Sequence, residues 1–198
     1  MDLAALKLPV RIESERVYLR FLRYSDSGWY YEMALRNKAH LLKYEPGNAV
    51  FCIHNTEEAE AMMGHFEDIC EKRKEFYLGV FRRDTDRFVG QVFIGLSNTE
   101  IHACSLGFFA EVSHEGKGYM TEAVQAVLHF MFNILHADRV DLECDASNSR
   151  SVRLAERCGF EKKDVSSKHP SSLGSLHFAL DRDQGRRLGV PPPRYQYL

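Results

Sequence analysis

The sequence predicts a mixed α/β domain, on three observations. Short runs of alternating apolar and polar residues recur along the chain, the two-residue period of half-buried strands. Between them lie stretches with apolar residues every three or four positions, the period of amphipathic helices. Neither an internal repeat nor a Pro-, Gly- or Ser-rich linker interrupts the 198 residues, a length suited to about one domain. The expected organisation is a single domain over residues 1–198, with about ten residues at the N-terminus and about fifteen at the C-terminus as extensions.

The elements follow in order. Glu15 to Arg23 alternates Val17, Leu19 and Phe21 with polar neighbours and reads as a strand. Ser25, Asp26 and Ser27 supply N-caps for a helix through Arg36, and Glu45-Pro46-Gly47 breaks the chain. Thr56 to Lys74 reads as a helix capped by Thr56, with Glu57 and Glu58 in its first turn and Lys72, Arg73 and Lys74 in its last, as the helix dipole favours. Phe76–Phe81 and Phe88–Leu96 are strands joined by a turn at Asp84-Thr85-Asp86, and Ile101–Phe109 is a further strand. Met120–Leu135 is the clearest helix, with Met120, Val124, Val127, Leu128, Met131 and Leu135 on one stripe. Arg139–Cys144 alternates again, Ser149–Cys158 is a helix stopped by Gly159, and Leu176–Leu180 is the last strand. The Val190-Pro-Pro-Pro-Arg194 tail is expected to be extended.

Composition narrows the function. Of the residues, 44% are hydrophobic and 27% charged, as in ordinary globular chains. Twenty-six Lys and Arg against 28 Asp and Glu leave a net charge of −2, unlike a general nucleic-acid binder. No apolar run is long enough to span a membrane. Met1 to Pro9 has no basic-then-apolar secretory pattern. Cys52, Cys70, Cys104, Cys144 and Cys158 are odd in number and scattered, which argues against a disulfide framework or a zinc site. These features point to a reduced cytoplasmic protein without a metal.

The most informative segment is His114-Glu115-Gly116-Lys117-Gly118-Tyr119-Met120-Thr121, between a strand and the strongest helix. Two glycines let the backbone turn tightly and approach a ligand closely. The helix start offers unpaired N–H groups suited to phosphate, and Lys117 could add charge. A mononucleotide loop needs GxxxxGK followed by Ser or Thr, and a dinucleotide loop needs GxGxxG; neither pattern is met. A plain glycine turn is the other reading.

The segment resembles the acyl-CoA loop of the GNAT acetyltransferases, Gln/Arg-x-x-Gly-x-Gly/Ala, with Glu115 and Met120 as departures. The resemblance extends to Glu15-Arg16-Val17-Tyr18-Leu19-Arg20 as a first strand and to Asn37 through Pro46 as the loop after the first helix. It also takes in His102 through Phe108 as a central strand of the RimJ type, and Leu142-Glu143-Cys144 with Asn148-x-x-Ser151 and Glu156-Arg157-Cys158-Gly159-Phe160 as the second half of the coenzyme site. It implies a mixed, mostly antiparallel central sheet, splayed in the middle and flanked by helices. It also implies an acetyl-CoA-dependent N-acetyltransferase of the RimJ/RimL-like branch, acting directly on a primary amine, foremost a protein N-terminal Ala or Ser of ribosomal-protein type. Acetylation of a small amine, or a catalytically weakened CoA-binding module, are the alternatives. The implied partners are acetyl-CoA and the amine acceptor, with no membrane and no direct nucleic-acid contact, in a monomer or homodimer.

The resemblance also implies roles. Backbone groups of Phe108, Phe109 and Ala110 would pair with the pantetheine amides. Amides from Glu115 through Gly116, Lys117, Gly118, Tyr119, Met120 and Thr121 would hold the diphosphate. Asn148 would hold the pantetheine chain or cap its helix. An attacking amine needs a base: Glu143 is the first candidate, with His102, Glu100 and His169 as others, since Ser105 stands where many relatives carry Glu. Ala155 stands where a Tyr acid is usual, so Ser151 takes the acid role by default. Cys144 is read as a buried structural thiol near the coenzyme sulfur. Trp29, Tyr30, Tyr31, His40 and Tyr44 lie where the fold covers its acceptor groove, and at least two of them are expected to be core.

Overall fold

The computed structural model describes residues 6–96, 102–163, 174–186 and 189–197. Nine strands are present among them: β1 (Arg11–Glu13), β2 (Val17–Phe21), β3 (Glu75–Arg82), β4 (Phe88–Leu96), β5 (Ala103–Ala110), β6 (Arg139–Asp145), β7 (Glu161–Lys163), β8 (Ser175–Asp181) and β9 (Arg194–Gln196). The helices are α1 (Ser27–Leu41), α2 (Thr56–Glu71), α3 (Tyr119–Asn133), α4 (Ser149–Arg157) and α5 (Arg182–Arg186). One sheet runs β7-β8-β6-β5-β4-β3-β2-β1-β9. Only β5 and β6 pair in parallel; every other pair is antiparallel.

The two sheet faces carry different cores. On one, α3 lays Met120, Val124, Val127 and Met131 against Leu19, Val92, Leu106 and Leu142. Ala123 and Ala126 are buried between these positions and let the helix sit close to the sheet. On the other, α1 and α2 pack Tyr30, Met33, Met63 and Phe66 over the β2–β4 region, where Phe66 stacks on Tyr77 with ring centroids 3.7 Å apart. Tyr30 is fully buried, and its hydroxyl donates to Gln91 at 2.6 Å.

Four expectations are corrected. Helix α1 runs through Leu41, so Asn37 to Leu41 are helix and not loop. Asn37 is tolerated inside it because its amide donates to the Met33 carbonyl at 2.9 Å and its oxygen accepts from Val112 N at 2.9 Å, which satisfies a buried polar group. Helix α2 is capped by Asn55, which accepts from Glu58 N, and ends at Glu71; Arg73, at φ 54°, is already left-handed. Helix α3 ends at Asn133, leaving Leu135 buried just beyond it. Three-residue strands β1, β7 and β9 and the short helix α5 carry no readable period, and pairing at the sheet edges makes the strands. Gly159, at φ 83°, ends α4 as expected.

The C-terminal segment crosses the molecule. Gly185 of α5 sits against the Phe132 ring, and the Val190 carbonyl lies 3.0 Å from His129 Nε2, both partners on α3. Strand β9 then pairs with β1 at the sheet edge far from β8.

Candidate active site

The site begins where a ladder stops. Strands β5 and β6 pair from Ala103–Arg139 to Leu106–Leu142 and no further, although β5 continues to Ala110 and β6 to Asp145. Beyond that point each strand follows a different neighbour. Gly107 to Ala110 stay on β4, and Glu111 N still reaches the Val89 carbonyl. Glu143 to Asp145 stay on β8, and Ala146 N reaches the Gly174 carbonyl. The facing backbone edges are thereby left for an extended ligand to pair with, as an added strand would.

A cavity of about 1060 Å³ adjoins this gap. Its walls are Phe108 to Ala110, the loop before α3, the first turn of α4 with Asn148 and Ser151, and on the outer side Val190 to Pro192.

The loop is held by its own bonds. The Glu111 carboxylate accepts from Ser113 N at 2.9 Å and from the Ser113 hydroxyl. Lys117 Nζ donates to the Ser113 carbonyl at 2.7 Å, and Arg16 donates to the Lys117 carbonyl at 3.1 Å. Gly116 and Gly118 have φ of 71° and 80°, left-handed values that glycine adopts without a Cβ clash. Gly118 caps α3 with no side-chain acceptor over the first turn, so the amides that a Ser or Asp would normally satisfy are free for an anion. Lys117, turned back on Ser113, does not line the cavity. Met120 is buried with its sulfur over Gly90, where a Cβ would come within 2.3 Å of it.

Glu115 is the departure that the geometry explains. One carboxylate oxygen lies 2.9 Å from His40 Nε2, and the other pairs with Arg150 at the start of α4. His114 also lines the cavity, and burial, aided by Lys117, lowers its pKa. Burial raises the Glu45 carboxyl in the same wall.

On α4, Asn148 is buried and accepts from Ser151 N at 3.2 Å, so it caps the helix while lining the cavity. Ala155 is fully buried among the residues packed under α3 and α4.

Glu143 is the first residue past the end of the β5–β6 ladder. It lies directly across from His177 on β8, with 3.8 Å between its carboxylate and His177 Nε2. Its side chain is 47% exposed. Val140, Leu142 and Cys144 face α3, so Glu143 and His177 lie on the opposite face. Cys144 is half-buried, and burial, with the Asp145 and Glu143 carboxylates, pushes its thiol up to about 11. All five cysteines carry free thiols.

His102 is not brought to this place. It is exposed just before β5, with its carbonyl accepting from Asp138 N at 2.8 Å. It stands eight residues from Ala110, or roughly 26 Å of strand. Glu100 and His169 lie outside the described residues. Of the aromatic group, His40 and Tyr44 line the cavity. Tyr30 is core, Trp29 packs on Phe81 and Phe88, and the Tyr31 hydroxyl bonds the His54 carbonyl. Two side chains that meet the candidate residues were missed from sequence. His177 meets Glu143 only through strand register, which no local pattern encodes. Arg150 carried a signal: a cation in a helix's first turn opposes the dipole unless an anion meets it. Among the described residues no group of three His, Cys, Asp or Glu side chains is placed to hold a metal, and no helix is long and apolar enough to cross a membrane.

A parallel strand pair that parts beside a loop of free glycine-flanked amides defines a site for an extended, anionic ligand, and comparison with known proteins gives the class. Residues 16–161 match the family model described as "Acetyltransferase (GNAT) domain". The chain belongs to the GNAT acetyltransferase family and is an acyltransferase. It is 30% identical over 105 residues to the probable N-acetyltransferase YjcK of Bacillus subtilis, 52% of this chain and 58% of that protein. The match thus spans little more than half of that relative's length. It is 28% identical over 156 residues to the [ribosomal protein uS5]-alanine N-acetyltransferase of Escherichia coli, covering 78% of this chain and 79% of that one. In fold it is similar to the ribosomal-protein-S5-alanine acetyltransferase of Vibrio fischeri, with TM-score 0.77 at 21% identity over 88% of this chain and 97% of that one. It is similar also to Mycobacterium smegmatis RimJ in complex with CoA-disulfide, with TM-score 0.75 at 19% identity over 94% of each chain.

Proposed function

We propose that the protein transfers acetyl from acetyl-CoA to the N-terminal amine of a protein, of the Ala- or Ser-initiated ribosomal type. The observation that carries the coenzyme half is the meeting of the open β5–β6 seam and the uncapped α3 amides in one cavity. The acceptor half is supported by the similarity to the uS5-alanine enzyme. Amides from Glu115 to Thr121 hold the diphosphate, and the free edges of Phe108 to Ala110 and the capping Asn148 hold the pantetheine arm. The coenzyme supplies an acetyl group activated on sulfur.

The amine arrives from the sheet face that bears Glu143. Glu143 takes a proton from the ammonium, which frees the nitrogen lone pair to form the new C–N bond as the C–S bond breaks. Ser151, on the α4 side, relays the second amine proton: its hydroxyl gives a proton to the departing thiolate and takes one from the nitrogen of the new amide, so it ends as a neutral hydroxyl. Ser151 lines the cavity, and Glu143 stands at the parted end of the seam on the other sheet face, so the reaction depends on holding the amine and the thioester between them. Cys144, with its thiol near 11, stays protonated at neutral pH and takes no acetyl group.

The test is thiol release from acetyl-CoA with an Ala-initiated peptide, the same peptide with a blocked N-terminus and an internal Lys, and a panel of polyamines and amino acids. Turnover on the free N-terminal peptide alone is expected. Turnover on the blocked peptide or on small amines only would overturn the acceptor assignment.

A further inference from the structure

The carboxylate of Glu115 stands beside the amides that the coenzyme reading gives to a diphosphate, where a negative charge is repelled. Its two oxygens hold two side chains from different elements, the His40 imidazole at the end of α1 and the Arg150 guanidinium at the start of α4. All three side chains line the cavity. The Glu115–Arg150 pair joins the two walls between which the ligand must lie. The loop does not need this pair for its shape, because Glu111, Lys117, Arg16 and Asn37 already bond its backbone from four sides.

From this we infer that Arg150 is a diphosphate-binding residue of the coenzyme site, and that Glu115 is an internal anion that occupies Arg150 until the diphosphate replaces it. The inference rests on the coenzyme reading above. Arg150 is well suited to the exchange: its guanidinium is 60% exposed and can turn, and its planar fork donates to a carboxylate or a phosphate in the same geometry. The displaced carboxylate keeps His40, 2.9 Å from its other oxygen, so it is not left unpaired. No bond is made or broken in the exchange; one anion takes another's place.

The experiment is calorimetric titration of CoA, and of pantetheine, which lacks the diphosphate, into four proteins: wild type, Glu115→Gln, Arg150→Ala and the double variant. Glu115→Gln is expected to bind CoA about ten-fold more tightly, the scale of one charge-assisted bond. Arg150→Ala should bind it about ten-fold more weakly. The gain from Glu115→Gln should vanish in the double variant, and pantetheine affinity should not move in any of the four. Thermal melting monitors folding of each variant. Unchanged or weaker CoA binding by Glu115→Gln would overturn the inference, because the carboxylate would then be a fastener of the loop. A gain that survives Arg150→Ala overturns it as well. A wild type that binds neither ligand would remove the coenzyme reading itself, which separates that failure from this one.

Discussion

Strands β5 and β6 are each two things at once. Over Ala103–Leu106 and Arg139–Leu142 they are zipped, with Leu106 and Leu142 buried under α3. A residue later they have parted, and Glu143 stands half in solvent beside His177. The same two strands are scaffold at one end and site at the other, and the boundary falls between Leu142 and Glu143. Backbone groups left unpaired by their own sheet are costly when buried, so an opening of this kind persists where a ligand can complete it.

Substitutions on either side of that boundary should separate stability from chemistry. Leu142→Ala, in the zipped half, should lower unfolding free energy by about 3 kcal/mol through lost burial and a residual cavity, read by denaturant titration, while CoA affinity of the folded protein is retained. Glu143→Gln, one residue on, should lower kcat about a hundred-fold with CoA binding and melting temperature unchanged; an unaltered kcat would pass the base role to His177 or to water. Ser151→Ala should lower kcat about ten-fold near neutral pH, with the loss shrinking as pH rises and the thiolate leaves unaided, read from a pH profile at saturating acetyl-CoA. The smallest effect concerns Cys144. With its thiol raised to about 11, only about one part in a thousand is thiolate at pH 8. Iodoacetamide should therefore label exposed Cys52 well before Cys144, and labelling of Cys144 should speed as pH rises toward 11. Equal labelling of the two at pH 8 would show that the seam is more open than the burial of Cys144 implies.

Much of this was legible in the sequence where the signal is local. The α3 stripe, the β3–β4 hairpin and Gly159 follow from period and turn chemistry, and Gly116 and Gly118 mark the left-handed loop. The shape of α1 was not legible, because Asn37 looks like a helix end until its two buried bonds are seen. The short strands β1 and β9 were not legible either, since three residues carry no period and only long-range pairing makes them strands. The roles assigned to site residues came from family resemblance. What the geometry adds is which side chains meet: Glu115 with Arg150 and His40, and Glu143 with His177.

The C-terminal segment has a mechanical consequence. By resting on α3 at His129 and adding β9 to β1, it ties the helix to the far edge of the sheet while Val190 to Pro192 wall the cavity. A cargo fused beyond Gln196 is therefore tied, through β9 and the Val190 to Pro192 wall, to the cavity itself.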